Sequence, residues 1–227
     1  MKTTLILVLT VLAVLALVQA QAPSDRFFVV EDLSNGEVLY KQRVDDFDRR
    51  SAPVSAEHGY SRAGGIVSIG ELAWSLVQDN QPSVNSSSSW TGAVPPGITA
   101  DDWQTMSGWK PFASQPLRFK WTNHLWTLTS FDFIYSWNAL GTYNGTGNYI
   151  TLATVVDKDV YAAPSEHLEC GVTVSPPINA GTTDNVIASI QMKVVCSSHG
   201  DFEQSTAACI WQINGDGNQQ RISCDMN

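Results

Sequence analysis

The chain has 227 residues, 43% hydrophobic and 15% charged, with a formal net charge of −9. That is too apolar and too lightly charged for a disordered chain, and 16 Gly and 10 Pro without a G-X-Y period exclude collagen. Twenty-two acidic residues against 13 Lys and Arg argue against a nucleic-acid binder, which needs clustered cations to neutralise phosphates. Eight Trp residues are a heavy load for this length.

The first twenty residues have the layout of a secretory signal peptide: Lys2, then an apolar run from Leu5 to Val18 interrupted only by Thr10, then Val18-Gln19-Ala20 as a cleavage site. The run is short for a membrane span, and no later segment approaches one, so no transmembrane segment is expected. Without Lys2 the 13 basic residues become 12 against 22 acidic ones, a net −10 that suits a soluble secreted protein. Asn85-Ser86-Ser87 and Asn144-Gly145-Thr146 are glycosylation sequons, which makes Asn85 and Asn144 candidate glycan acceptors.

After residue 20 the chain divides into a lead segment, 21–50, and a single disulfide-stabilised β-sandwich domain, 51–227. Arg26 to Val30 and Glu37 to Tyr40 flank Ser34-Asn35-Gly36, and Asn-Gly between β-prone runs predicts a type I′ hairpin. Arg49-Arg50 after it is either a solvated pair or a dibasic processing site that would make 21–50 a propeptide. Ser68 and Glu71 form a capping box, and Ile69, Leu72, Ala73, Leu76 and Val77 follow i, i+3, i+4 spacing. These predict one short amphipathic helix over 68–78. A Ser-rich connector follows, and Thr99 to Trp103 suggests a helical turn.

From residue 117 the period is two. Leu117, Phe119 and Trp121 alternate with Arg118, Lys120 and Thr122. Further strands are expected at about 125–137, 149–156, 159–163, 167–175, 186–197, 203–213 and 219–225. Gly/Asn/Asp-rich turns separate them, so the fold class is mainly β, an antiparallel β-sandwich with a closed barrel as runner-up.

All four cysteines, Cys170, Cys196, Cys209 and Cys224, lie in the last quarter. Opposed residues of an antiparallel hairpin have a constant sum. That sum centres Cys170 and Cys196 on Thr183, and Cys209 and Cys224 between Asp216 and Gly217. Both centres are turns, so the expected disulfides are 170–196 and 209–224, and the four cysteines form one row across a meander. The alternative pairs Cys196 with Cys209 and requires the outer strands to close up.

The same sum sets His167 opposite His199, a frayed hairpin end in the plain reading and a metal site in the sharper one. Asn214, Asp216, Asn218 and Asp225 match calcium-loop positions, but Gln219 stands where the bend needs Gly, and a tight turn accounts for them. Neither a metal nor another cofactor is therefore expected. Carboxylate pairs at Asp101-Asp102, Asp157 with Asp159, and Glu166 with Glu169 supply no pair defensible as catalytic. The aromatics are more informative. Trp74, Trp121 and Trp211 read as core; Trp90, Trp103 and Trp109 fall in the irregular 84–116 region, and Trp137 with Tyr143 brackets a Gly/Asn-rich loop. These five are the candidate ligand-binding residues, because exposed rings stack on sugars or enter a membrane interface. The competing reading has the 84–116 segment bury them as a cap over the sheet.

In layout alone (leader, acidic segment ending in Arg49-Arg50, helix, Trp-rich β-region) the chain resembles actinoporin-like secreted cytolysins. Its four cysteines depart from that family's usually cysteine-free pattern. The leading expectation is a secreted, non-catalytic, lectin-like protein that binds a glycan or other cell-surface or matrix ligand through loop aromatics. Alternatives are a membrane-active defence protein or pore-forming toxin, as the resemblance implies, and a secreted hydrolase.

Overall fold

The computed structural model of the chain describes residues 26–44, 66–71, 74–78, 85–87, 90–98, 105–123, 125–200 and 204–226. The leader, Arg49-Arg50, the turn expected at 99–103 and the Asp101-Asp102 pair lie outside the described residues. In chain order the strands are β1 (Phe27–Asp32), β2 (Glu37–Arg43), β3 (Val67–Glu71), β4 (Trp74–Gln78), β5 (Asn85–Ser87), β6 (Trp90–Val94), β7 (Met106–Ser107), β8 (Lys110–Ala113) and β9 (Leu117–Thr122). They continue with β10 (Thr127–Ala139), β11 (Gly141–Tyr143), β12 (Thr146–Ala162), β13 (His167–Val174), β14 (Ile178–Asn179), β15 (Ala188–His199), β16 (Gln204–Asn214) and β17 (Gln219–Met226).

These strands make two antiparallel sheets and no closed barrel. The first runs β2-β1-β9-β10-β12-β11-β7, with β6 and β3 joined through β12 and β8 paired to β10. The second runs β17-β16-β15-β13-β4-β5, with β14 on β15. Alternation decides which side chains meet between the sheets. The first sheet contributes an aromatic layer: Phe28, Phe119, Trp121, Phe131, Phe133, Tyr135 and Trp137, each at most 1% exposed. The second contributes aliphatic and sulfur side chains, Leu168, Ile190, Met192, Val194 and the cysteines. Trp211 crosses from the second sheet into the aromatic layer, 5.3 Å from Tyr135 and 6.1 Å from Phe119 between ring centroids.

The cysteines pair as expected. Cys170–Cys196 joins β13 to β15, and Cys209–Cys224 joins β16 to β17, each between directly opposed residues. They do not form one row, because Cys209 stands opposite Val194 and Cys196 opposite Ala207. A bulge after Ile210 also moves the last turn off the two-residue Asp216-Gly217 geometry. Asn214 and Asn218 close it instead, the Asn214 amide donating to the Asn218 carbonyl at 2.9 Å.

Two local expectations are corrected. No helix forms over 68–78, where the chain makes β3 and β4. Gly70 weakens a helix in its first turn, and both halves of the segment meet open sheet edges, β3 pairing with β6 and β4 with β13 and β5. The β1–β2 connection is a four-residue loop, Leu33 to Gly36, closed by the Gly36 amide on the Asp32 carbonyl, and Gly36 is its only residue with positive φ. Asp32 side-chain bonds to Ser34 and a bulge after Val30 displace the type I′ geometry. That geometry occurs instead at Asn144-Gly145, where φ is 52° and 76° between the paired Tyr143 and Thr146.

Candidate functional site

The aromatic candidates separate by burial. Trp137 is 1% exposed and stacks on Phe112, centroids 5.7 Å apart, and Phe112 lies against Gly217. It is a core residue, not a loop residue offered to a ligand; β10 runs past it to Ala139, so the bracketing loop begins later than the sequence suggested. Trp109 is half-buried over Gly141, with its indole nitrogen buried and unpartnered among the described residues. Tyr143 is half-buried at the rim of the core. Trp137 is thus part of the core, and Trp109 and Tyr143 pack against it. Trp90 opens β6 half-buried, and Trp103 lies outside the described residues.

A different tryptophan is exposed. Trp126 is 63% exposed and Leu125 beside it 77%, at the tip joining β9 to β10. Sequence reasoning ran a strand from 125 and missed the turn. The signal was Thr122-Asn123-His124 and then two adjacent apolar residues, Leu125 and Trp126, which break the alternation of both strands. Asn123 builds the tip: its side-chain oxygen accepts from the Leu125 and Trp126 amides at 2.9 and 2.8 Å. Its own amide donates to the Trp126 carbonyl at 3.1 Å. The Thr122 hydroxyl is shared between the Asn123 and Trp126 carbonyls, 2.9 Å from each. An Asx turn of this kind substitutes side-chain acceptors for backbone ones and fixes the direction of the residues it encloses.

Register places further groups around the tip on the outer face of the first sheet. Phe27 pairs with Thr122, with Lys41 Nζ 4.5 Å above its ring, and Arg43 stands opposite it on β2. Tyr161, 46% exposed, opposes Ser130 across β12. Farther along that face the charges are paired: Lys120 with Glu31, and Arg118 with both oxygens of Asp132 at 2.6 Å. The Asp132 hydrogen bond holds the Arg118 pKa above its usual value.

The inner side at the same end is sealed by an ion pair between the sheets, Arg26 Nη2 to Glu166 Oε1 at 2.9 Å, with side chains 12% and 7% exposed. Glu166 is thus half of a buried pair rather than a partner of Glu169. His167 and His199 are directly opposed as the hairpin sum required, ring centroids 5.6 Å apart. Asp216 accepts from the Asn218 amide and side chain, while Asp225 lies far along β17 opposite Ala208, so the calcium-loop residues do not converge. No group of three or more metal-ligating side chains occurs among the described residues. Asn144 is exposed at its turn, and Asn85 lies in the sheet-edge strand β5. Comparison of the chain with protein families, with curated proteins and with solved structures finds no match.

Proposed function

We propose that the chain is a secreted, non-catalytic binding protein that engages a glycan or another cell-surface or matrix component through aromatic side chains on its loops. The observation that carries this reading is the Leu125–Trp126 tip, an exposed apolar pair held by hydrogen bonds at the end of a sheet. An ordered exposed aromatic presents contact area at little entropic cost. Secretion is supported by the leader-like first twenty residues and by two disulfides, which persist in oxidising compartments. Asn144, exposed in its turn, is placed to accept a glycan.

The test is staining of cells by labelled mature protein beside Trp126→Ser. Staining by the wild type that falls at least about tenfold in the variant supports the reading, since burying one aromatic at an interface is worth that much. Equal staining by both would remove the tip from the binding surface. Membrane activity is the second reading, favoured by Leu125, whose branched alkyl side chain has no stacking use on a sugar ring.

A further inference from the structure

We infer that the β9–β10 tip is a bilayer anchor, with Leu125 and Trp126 seated in the headgroup–acyl boundary of a zwitterionic phospholipid surface. This rests on the tip being the binding surface, and it names the lipid itself as the component bound.

Three features select lipid over a polar soluble ligand. The first is how many of the described backbone groups of the tip are already paired. The Asn123, Leu125 and Trp126 amides and the Asn123 and Trp126 carbonyls all have partners within the turn. A segment entering hydrocarbon must satisfy such groups internally, whereas a sugar-binding loop keeps some to read hydroxyls. The second is composition: the more exposed member of the pair is Leu125, at 77%. The third is what surrounds it. Tyr161, and Lys41 lying over Phe27, stand back from the tip on one face of the sheet, the aromatic and cationic arrangement that suits headgroup depth. The Leu125–Trp126 pair reaches only about 5–10 Å into the bilayer, so the tip anchors without spanning. The formal charge of −9 opposes attraction to anionic lipid, which makes apolar burial the driving term and a zwitterionic surface the fitting one.

The experiment is flotation of the disulfide-intact mature chain with phosphatidylcholine vesicles, repeated with added phosphatidylserine. Wild type is expected to float, and Leu125→Ser/Trp126→Ser to lose at least about tenfold in partitioning, two apolar side chains no longer being buried. Asn123 and Thr122 remain in the double variant, so its thermal midpoint should match wild type. Should that midpoint fall, Trp126→Phe, which keeps an apolar ring, must retain flotation for the anchor to stand. Binding to phosphatidylcholine should not need phosphatidylserine, and a requirement for it would overturn the apolar anchor. So would failure of the wild type to float, or equal flotation of wild type and double variant. Cell staining separates the two levels. Tip-dependent staining without vesicle binding, abolished by deglycosylating the cells, assigns the tip to a glycan and sinks the lipid. Staining indifferent to the tip sinks the binding surface as well.

Discussion

Tyr135 carries its hydroxyl into the aromatic layer at 0% exposure, where the oxygen has no hydrogen-bond partner among the described residues. Burial pushes its pKa well above 10.0. The sign follows from which state keeps the proton. Above about pH 10 the unfolded chain releases a proton that the folded chain retains, so stability falls as pH rises, by about 1.4 kcal/mol per unit for this residue. Tyr40 and Tyr149 are raised in the same direction, mainly by burial, and add to the slope. Tyr135→Phe should therefore flatten the alkaline slope by one proton. It should leave neutral-pH stability equal or slightly higher, since no hydrogen bond is lost. Urea unfolding at about pH 8 and about pH 10.5 measures both, and a neutral-pH loss above about 1 kcal/mol would reveal a partner for the hydroxyl. Gly141, by contrast, has a forced identity: a Cβ there would stand 2.1 Å from Trp109 Cζ3. Gly141→Ala should cost about 1–3 kcal/mol by displacing the ring, and Trp109→Leu in the same chain should recover part of it.

Elements were legible where one period held over a whole strand with its turn. β9, β13, β15, β16 and β17 lie where alternation put them, and opposed cysteines came from a hairpin sum that needs no tertiary knowledge. The segment 68–78 failed because its apolar spacing fits a helix stripe and two short strands alike, and only the edges of β6 and β13 decide between them. The strands expected at 149–156 and 159–163 are one strand, β12, because the irregularity at Asp157–Asp159 is a bulge against β10, not a turn. The site was legible only as a residue class. Exposure of one tryptophan among those described depends on which side of a sheet or turn it falls, and alternation puts Trp126 mid-strand, whereas Asn123 closes the hairpin around it. The consequence is testable in that element alone. Asn123→Ala removes the acceptor of two amides, costs about 1 kcal/mol locally and frees the tip. Amide exchange at Leu125 and Trp126 should rise at least about fivefold while exchange in β13 and β15 stays unchanged. Unaltered exchange at the tip would mean that Thr122 alone holds it.

At the scale of the molecule, two unlike layers face each other, aromatic in one sheet and aliphatic with sulfur in the other, and different devices fix the sheets internally and across the gap. Disulfides link neighbours within the second sheet and do nothing to join it to the first. Across one end the sheets are joined by the buried Thr129–Ser198 hydrogen bond and by Arg26 and Glu166, 140 residues apart, whose pairing no local pattern in the sequence could reveal. Gly200 lets them meet: a Cβ there would lie 2.7 Å from Glu166 Oε1 and 2.8 Å from Arg26 Nη2. Removing one member of a buried pair deprives the other charge of this contact, so Arg26→Met or Glu166→Leu alone should cost about 3–5 kcal/mol. The double variant removes both charges and replaces the pair by apolar volume, and it should regain most of that loss or exceed wild type. A urea-unfolding cycle on the four chains measures the coupling, which should exceed about 2 kcal/mol. Additive losses would show that the pair only fills the gap and that the apolar layers and the buried Thr129–Ser198 hydrogen bond hold the sheets there. Because the ion pair closes the same end of the sandwich that bears the Leu125–Trp126 tip, strong coupling would also mean that tip and core are set by one rigid frame. In that case either single variant should raise amide exchange at the tip, whereas the double variant should restore it.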